Sequence, residues 1–214
     1  MKRREFTTVG WAAALALAGL GSGAARAQAP KAGSDYVVLR PPLAGGAEGK
    51  IEVVEFFWYG CPHCNRFQPM IEPWAAKLPA DVVYRRVPVA FRDEFVVHQR
   101  IYYALEALGQ VQALHKKVFH AVHVERNPLN KPEAIADFMA RQGVDRAKFL
   151  EAFNSFGVQT KTRQAKQIAE GYKIDGVPAI GINGRYWTSG ALAGSLERSL
   201  QVADYLIGQA RAGR

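Results

Sequence analysis

The chain has 214 residues, a formal charge of +9, and 49% hydrophobic against 22% charged residues, with only two cysteines. That composition can bury a core of ordinary size, and it excludes a disulfide-stapled miniprotein, a disordered chain and a multi-span membrane protein. Cys61 and Cys64 are three positions apart, so a bond between them closes a loop too small to remove much unfolded-state entropy.

The N-terminus carries a basic start at Lys2, Arg3 and Arg4, an apolar run from Val9 to Leu20, and small residues at Ala25 and Ala27. This pattern predicts a secretory signal peptide over residues 1–27, cleaved after Ala27. The apolar run falls short of the ~20 residues that span a bilayer, which argues against an uncleaved anchor. Arg3-Arg4-Glu5-Phe6 is similar to part of a twin-arginine signal, but Lys2 and Thr7 depart from its fuller form, so the export route stays open. Cleavage removes four basic residues and one acidic one, lowering the charge from +9 to +6. No Lys/Arg run of the length of a nucleic-acid patch remains, and nucleic-acid binding is not expected. Export would place both cysteines where disulfides form and persist.

Gln28 to Lys50 is rich in Gly, Pro and Ala and reads as an arm with one short strand at Tyr36 to Leu39. Lys50 to Trp58 is β-branched and aromatic, ends at Gly60, and predicts a buried strand of about eight residues. It leads into Cys61-Pro62-His63-Cys64. Pro62 suits the first turn of a helix, which puts Cys61 at the N-cap and Cys64 one turn in, within reach for a disulfide. A thiolate at a helix N-terminus meets unpaired N–H groups and the positive end of the dipole, so the Cys61 pKa should fall below its free value. Each pH unit of depression below ambient stabilises the reduced form by about 1.4 kcal/mol, or about 30 mV for a two-electron couple. Such a site passes its disulfide on to other thiols. Zinc is a poor rival, because there is no second CxxC and no paired histidines to complete four ligands. Haem attachment needs histidine directly after the second cysteine, where Asn65 stands.

Gln159 to Tyr172 reads as a helix, and Ile174 to Trp187 as a loop, a strand, an Asn183-Gly184 turn and a second strand. Pro178 stands at the entry of this hairpin, where a proline must open its strand and where cis bonds occur. An ordinary trans turn proline is the plain alternative.

A CxxC that opens a helix after a buried strand, followed by Val177-Pro178, a hairpin and a final helix at about Ala193 to Ala210, resembles the thioredoxin fold. The Pro62-His63 dipeptide, Glu55 six residues before Cys61 and the Gly176-Val177-Pro178 loop further resemble the DsbA family of bacterial periplasmic dithiol oxidases, over nearly all of the mature chain. The long separation of Cys64 from Pro178 agrees with this. The surplus is helical in pattern, with stripes at Ile101, Leu105, Leu108, Val111, Leu114, Val118 and Val122, then Ile135, Phe138 and Met139, then Phe149, Leu150 and Phe153. The expected architecture is α/β: a thioredoxin-like frame in two parts, residues 28–91 and 158–214, around an all-helical insertion at residues 92–157.

The resemblance implies roles for residues. Cys61 is the exposed sulfur that a substrate thiolate attacks, and Cys64 the buried partner. His63 stabilises the Cys61 thiolate, a solvent-exposed loop histidine being the alternative. Pro178, if cis, faces the disulfide and leaves the Val177 backbone free to pair with an extended substrate strand. Glu55 is costly to bury unpartnered, so it either points to solvent or handles protons at the inner cysteine. Its basic neighbour by alignment is Arg86, where the family more often has a lysine. Pro69 and Pro73 should kink the helix that starts at Pro62, and Gly60 stands where the family often has an aromatic. Trp58 is assigned to the core. The implied activity transfers the Cys61–Cys64 disulfide to reduced, unfolded exported proteins in the periplasm, with a DsbB-like inner-membrane partner as reoxidant. No cofactor or metal is called for, and a monomer is expected. A reductase or isomerase of the same fold, or a non-redox chaperone or peptide-binding module, is the competing reading.

Overall fold

The computed structural model describes residues 29–44 and 49–213; the expected signal peptide lies outside the described residues. The strands are β1 (Val37–Val38), β2 (Ile51–Phe57), β3 (Val82–Pro88), β4 (Ala179–Ile182) and β5 (Tyr186–Ser189). The helices are α1 (Pro62–Ala75), α2 (Val96–Ala107), α3 (Val111–His123), α4 (Pro132–Arg141), α5 (Arg146–Asn154), α6 (Phe156–Gly171), α7 (Gly190–Ala193) and α8 (Leu196–Ala212). A single 3₁₀ turn, Asp93–Phe95, precedes α2.

One sheet runs in the order β1-β5-β4-β2-β3, with β2 and β3 parallel and the other pairs antiparallel. β2 sits between two neighbours, which is why its residues read as a nearly continuous apolar run. Its two faces feed two cores. Ile51 and Val53, with Ile180 and Ile182 of β4, pack on Phe67 and Ile71 of α1 and on Val202 and Leu206 of α8. Val54 and Phe56 face the other way, into the larger core that the sheet shares with α2 to α6. This is a thioredoxin-like fold with added helices, as the sequence implied.

Helix ends follow local chemistry. The sixth helix starts at Phe156 rather than Gln159, because Ser155 caps it by accepting the Val158 N–H at 3.2 Å. The final helix expected at about Ala193 to Ala210 is α8, which starts three residues later, at Leu196, and is preceded by the short α7. Gly194 turns left-handed at φ 89°, and Ser195 opens a new helix by accepting the Arg198 N–H at 3.0 Å. α1 is continuous through Pro69 and Pro73. The Asn183-Gly184 turn has positive φ at both residues, with Arg185 N–H donating to Ile182 O at 3.0 Å, as a primed hairpin turn requires.

Candidate active site

The parallel β2/β3 pair ends where α1 begins, so the strand-to-helix turn Trp58 to Cys61 lies at the C-terminal edge of the sheet. Cys61 N–H donates to Trp58 O at 3.0 Å, which folds the turn back and sets Cys61 as the N-cap, with extended backbone at φ −86° and ψ 117°. Pro62 occupies the first helical turn. Cys61 Sγ accepts the Cys64 N–H at 3.4 Å, and as a thiol it donates to Val177 O, also at 3.4 Å. Both cysteines are free thiols; Cys64 is fully enclosed, whereas Cys61 keeps 7% exposure.

The environment drives the two thiols apart. Cys61 is pushed down from 9.0 to about 6, first by the hydrogen bond from the Cys64 thiol, then by the N–H groups of Cys64 and His63 and the charge of His63, against the opposing cost of burial. Cys64 is pushed well up by burial, by its hydrogen bond to Cys61 and by the charge of Cys61. The backbone amides of the helix N-terminus are the influence the spacing foretold, yet the partner thiol acts more strongly on Cys61.

His63 is exposed, and its Nδ1 lies 2.7 Å from Arg66 Nη2. It reaches Cys61 through its backbone N–H and its charge. Arg66 was not singled out in the sequence, although its position three residues on, one turn along α1, put it within reach. The Val177–Pro178 peptide is cis, and Arg40–Pro41 is cis as well. Pro178 is buried and Val177 half-buried; with His63, Arg66, Ala191 and Leu196 they line a cavity of about 490 Å³ beside Cys61.

Glu55 is fully buried and bonded rather than turned to solvent. Its carboxylate accepts from Gln68 Nε2 at 2.8 Å, from Arg86 Nε at 3.0 Å and, at close range, from the Tyr84 hydroxyl. Arg86 is its cross-strand neighbour in the β2/β3 register, and Tyr84 lies two residues earlier on the same face of β3. Arg86 also approaches Glu72 Oε1 at 3.7 Å, and Glu72 in turn pairs with Lys116 of α3. Tyr84 and Gln68 were missed from the sequence; the period-2 alternation of β3 could have found the first.

Trp58, assigned to the core, only packs against its edge. Tyr59 is fully buried with its hydroxyl 2.8 Å from His115 Nδ1, whereas Trp58 is half-buried and stacked on Phe95 at 4.0 Å. Gly60 explains the missing aromatic before Cys61, since a Cβ there would come within 2.3 Å of the Trp58 ring.

A depressed N-cap thiol, a buried partner thiol one turn on and a cis-proline loop against them define a thioredoxin-fold thiol:disulfide oxidoreductase. The family model for a DSBA-like thioredoxin domain matches residues 81–197. The thiol:disulfide interchange protein DsbA of Pseudomonas aeruginosa is 46% identical over 200 residues, 94% of this chain and 95% of that protein. The protein of the same name from Bordetella parapertussis is 46% identical over 212 residues, 99% of this chain and all of its relative. The crystal structure of Pseudomonas aeruginosa DsbA superposes with a TM-score of 0.83 at 45% identity, over 86% of this chain and 96% of that one. The chain belongs to the DsbA family, and its function is disulfide exchange in the oxidising direction on reduced proteins.

Proposed function

We propose that Cys61 and Cys64 carry this exchange in the periplasm on newly exported chains. A substrate thiolate attacks Sγ of Cys61 in the Cys61–Cys64 disulfide, a substrate–Cys61 bond forms, and Cys64 departs and takes up a proton. The substrate's second thiolate then attacks its own sulfur in the mixed disulfide, and Cys61 leaves as a thiolate. Two electrons pass from substrate to enzyme. The observation that carries this direction is the divergence of the two thiols: Cys61, at about 6, is a good leaving group, and burial keeps a Cys64 thiolate from persisting.

The remaining roles follow from position. Pro62 starts the helix, and His63 supports the thiolate. Val177, whose carbonyl lies 3.4 Å from Cys61 Sγ, pairs with an extended substrate backbone, with Pro178 holding that loop in place. Glu55, held by Arg86, is the acid that serves Cys64 during its proton uptake. Residues 1–27 direct export, and a DsbB-like membrane protein restores the disulfide of a monomeric enzyme. The frame is assigned to residues 28–91 and 158–214 and the helical insertion to 92–157, which contains the 3₁₀ turn and α2 to α5. The test is refolding of a reduced, secreted disulfide protein by the oxidised enzyme. Cys61→Ser and Cys64→Ser variants are expected to lose all transfer, and retained activity in either would contradict the assignment.

A further inference from the structure

Disulfide donation as proposed requires the substrate chain to lie against Val177, and the loop that carries Val177 separates two grooves. Gly176, Val177 and Pro178 line the cavity beside Cys61. Ile174, three residues earlier, lines a second cavity of about 410 Å³ between α6 and the segment joining β3 to α2. Its lining is mixed: Val89, Ala90, Val96 and Ala169 give it an apolar floor, Phe91 stands 46% exposed at its edge, and polar and charged side chains make up the rest. That segment is tied to the active-site end of the sheet: Val89 N–H donates to Phe57 O at 2.7 Å, and Phe95 stacks on Trp58. A chain bound at Val177 therefore has a groove on each side of it.

The second groove carries charge. Arg92, Arg163 and Lys166 line it together with Asp93 and Glu170. Arg92 lies 3.5 Å from Glu94 and Lys166 lies 3.9 Å from Glu170, both pairs exposed. Arg163 forms no ion pair among the described residues. Its guanidinium donates to Thr160 Oγ1 at 3.0 Å and lies 5.6 Å from the ring of Phe156, which is 77% exposed. A cation without a carboxylate partner, beside exposed aromatic rings and an apolar floor, is complementary to an apolar side chain flanked by an acidic one. The cavity volume suits one or two side chains of an unfolded segment.

We propose that this groove takes the substrate polypeptide on the far side of Val177 from the first cavity, and that it favours extended segments pairing an apolar or aromatic residue with a carboxylate. The inference rests on disulfide donation by Cys61–Cys64. None of the groove residues touches a reacting sulfur, so the effect falls on docking rather than on the exchange step.

The test measures oxidation of synthetic dithiol peptides by the oxidised protein. Matched peptides carry Phe with either Glu or Lys several residues from the reactive cysteine, on its N-terminal side in one set and its C-terminal side in the other. A third peptide is too short to leave the first cavity. In one of the two sets the Glu peptide is expected to show a kcat/KM about two- to fivefold above its Lys counterpart at low salt, the scale of an exposed charge pair. The preference shrinks as salt rises and is abolished or reversed in Arg163→Glu/Lys166→Glu, which still oxidises the short peptide at the native rate. Equal rates for Glu and Lys peptides in both sets, or a preference untouched by the charge reversal, would overturn the proposal. Failure to oxidise even the short peptide would instead overturn disulfide donation itself, and the groove assignment with it.

Discussion

Replacing Cys64 with alanine isolates the largest influence on the Cys61 thiolate. In the native protein Cys61 is pushed from 9.0 to about 6, so at pH 7 roughly nine-tenths of it is ionised, against about 1% for an unshifted thiol. At that pH the difference stabilises the reduced enzyme by about 1.4 kcal/mol, or about 30 mV of added oxidising power. The Cys64 thiol supplies the leading hydrogen bond. A hydrogen bond to a charged group contributes about 1.5–3 kcal/mol, so its loss should raise the Cys61 midpoint by about one to two pH units. The N–H groups of Cys64 and His63 remain, so the midpoint stays below 9.0. Ultraviolet thiolate absorbance against pH reads this directly, with the alkylation rate as a second measure. Cys64→Ser, which keeps a donor at the same place, should shift far less. If Cys64→Ala titrates at the native midpoint, the backbone amides alone hold the thiolate and the ranking is wrong.

Arg86→Leu strands Glu55, buried at 0% exposure, without its ionic partner and should cost about 3–5 kcal/mol in urea unfolding; a loss under 1 kcal/mol would show that Tyr84 and Gln68 suffice. Burial pushes the pKa values of His115 and His98 down, so between the depressed folded values and 6.5 the unfolded chain binds more protons. Stability is therefore full above pH 6.5 and falls as pH drops below it, by up to about 1.4 kcal/mol per pH unit for each histidine. Unfolding curves at several pH values should show this slope, shallower in His115→Phe, and an equal slope in that variant would refute it. Gly60→Ala drives a Cβ to within 2.3 Å of the Trp58 ring and should cost about 1–3 kcal/mol with altered tryptophan fluorescence, whereas an unchanged melting temperature and spectrum would deny that contact.

What was legible in the sequence was local. The N-cap at Cys61, the proline at the first helical turn and the Asn183-Gly184 turn each depend on residues a few positions apart, and each is where the pattern put it. Glu55 was suspicious because a carboxylate inside an apolar strand must be solvated or partnered, and Arg86 followed from the family. Its other donors come from β3 and from the inner face of α1, which only the packed sheet brings together. His115 hid beside Leu114 in an apolar stripe, since nothing in its neighbours along the chain signals a buried bond to Tyr59, 56 residues earlier. Trp58 was placed in the core because the smallness of Gly60, which makes room for the indole, was read only as a departure from the family. The start of α8 turned on one left-handed glycine, Gly194, which ends α7 and which the apolar pattern of the segment conceals.

The central claim is that this site gives its disulfide away, and the equilibrium of the Cys61–Cys64 couple with a glutathione buffer at pH 7 tests it most directly. The account predicts a protein disulfide reduced more readily than that of glutathione, with a potential that turns more oxidising as pH rises from 6 to 7 relative to a couple of two unshifted thiols, because only Cys61 is ionised there. A disulfide harder to reduce than glutathione's would contradict it.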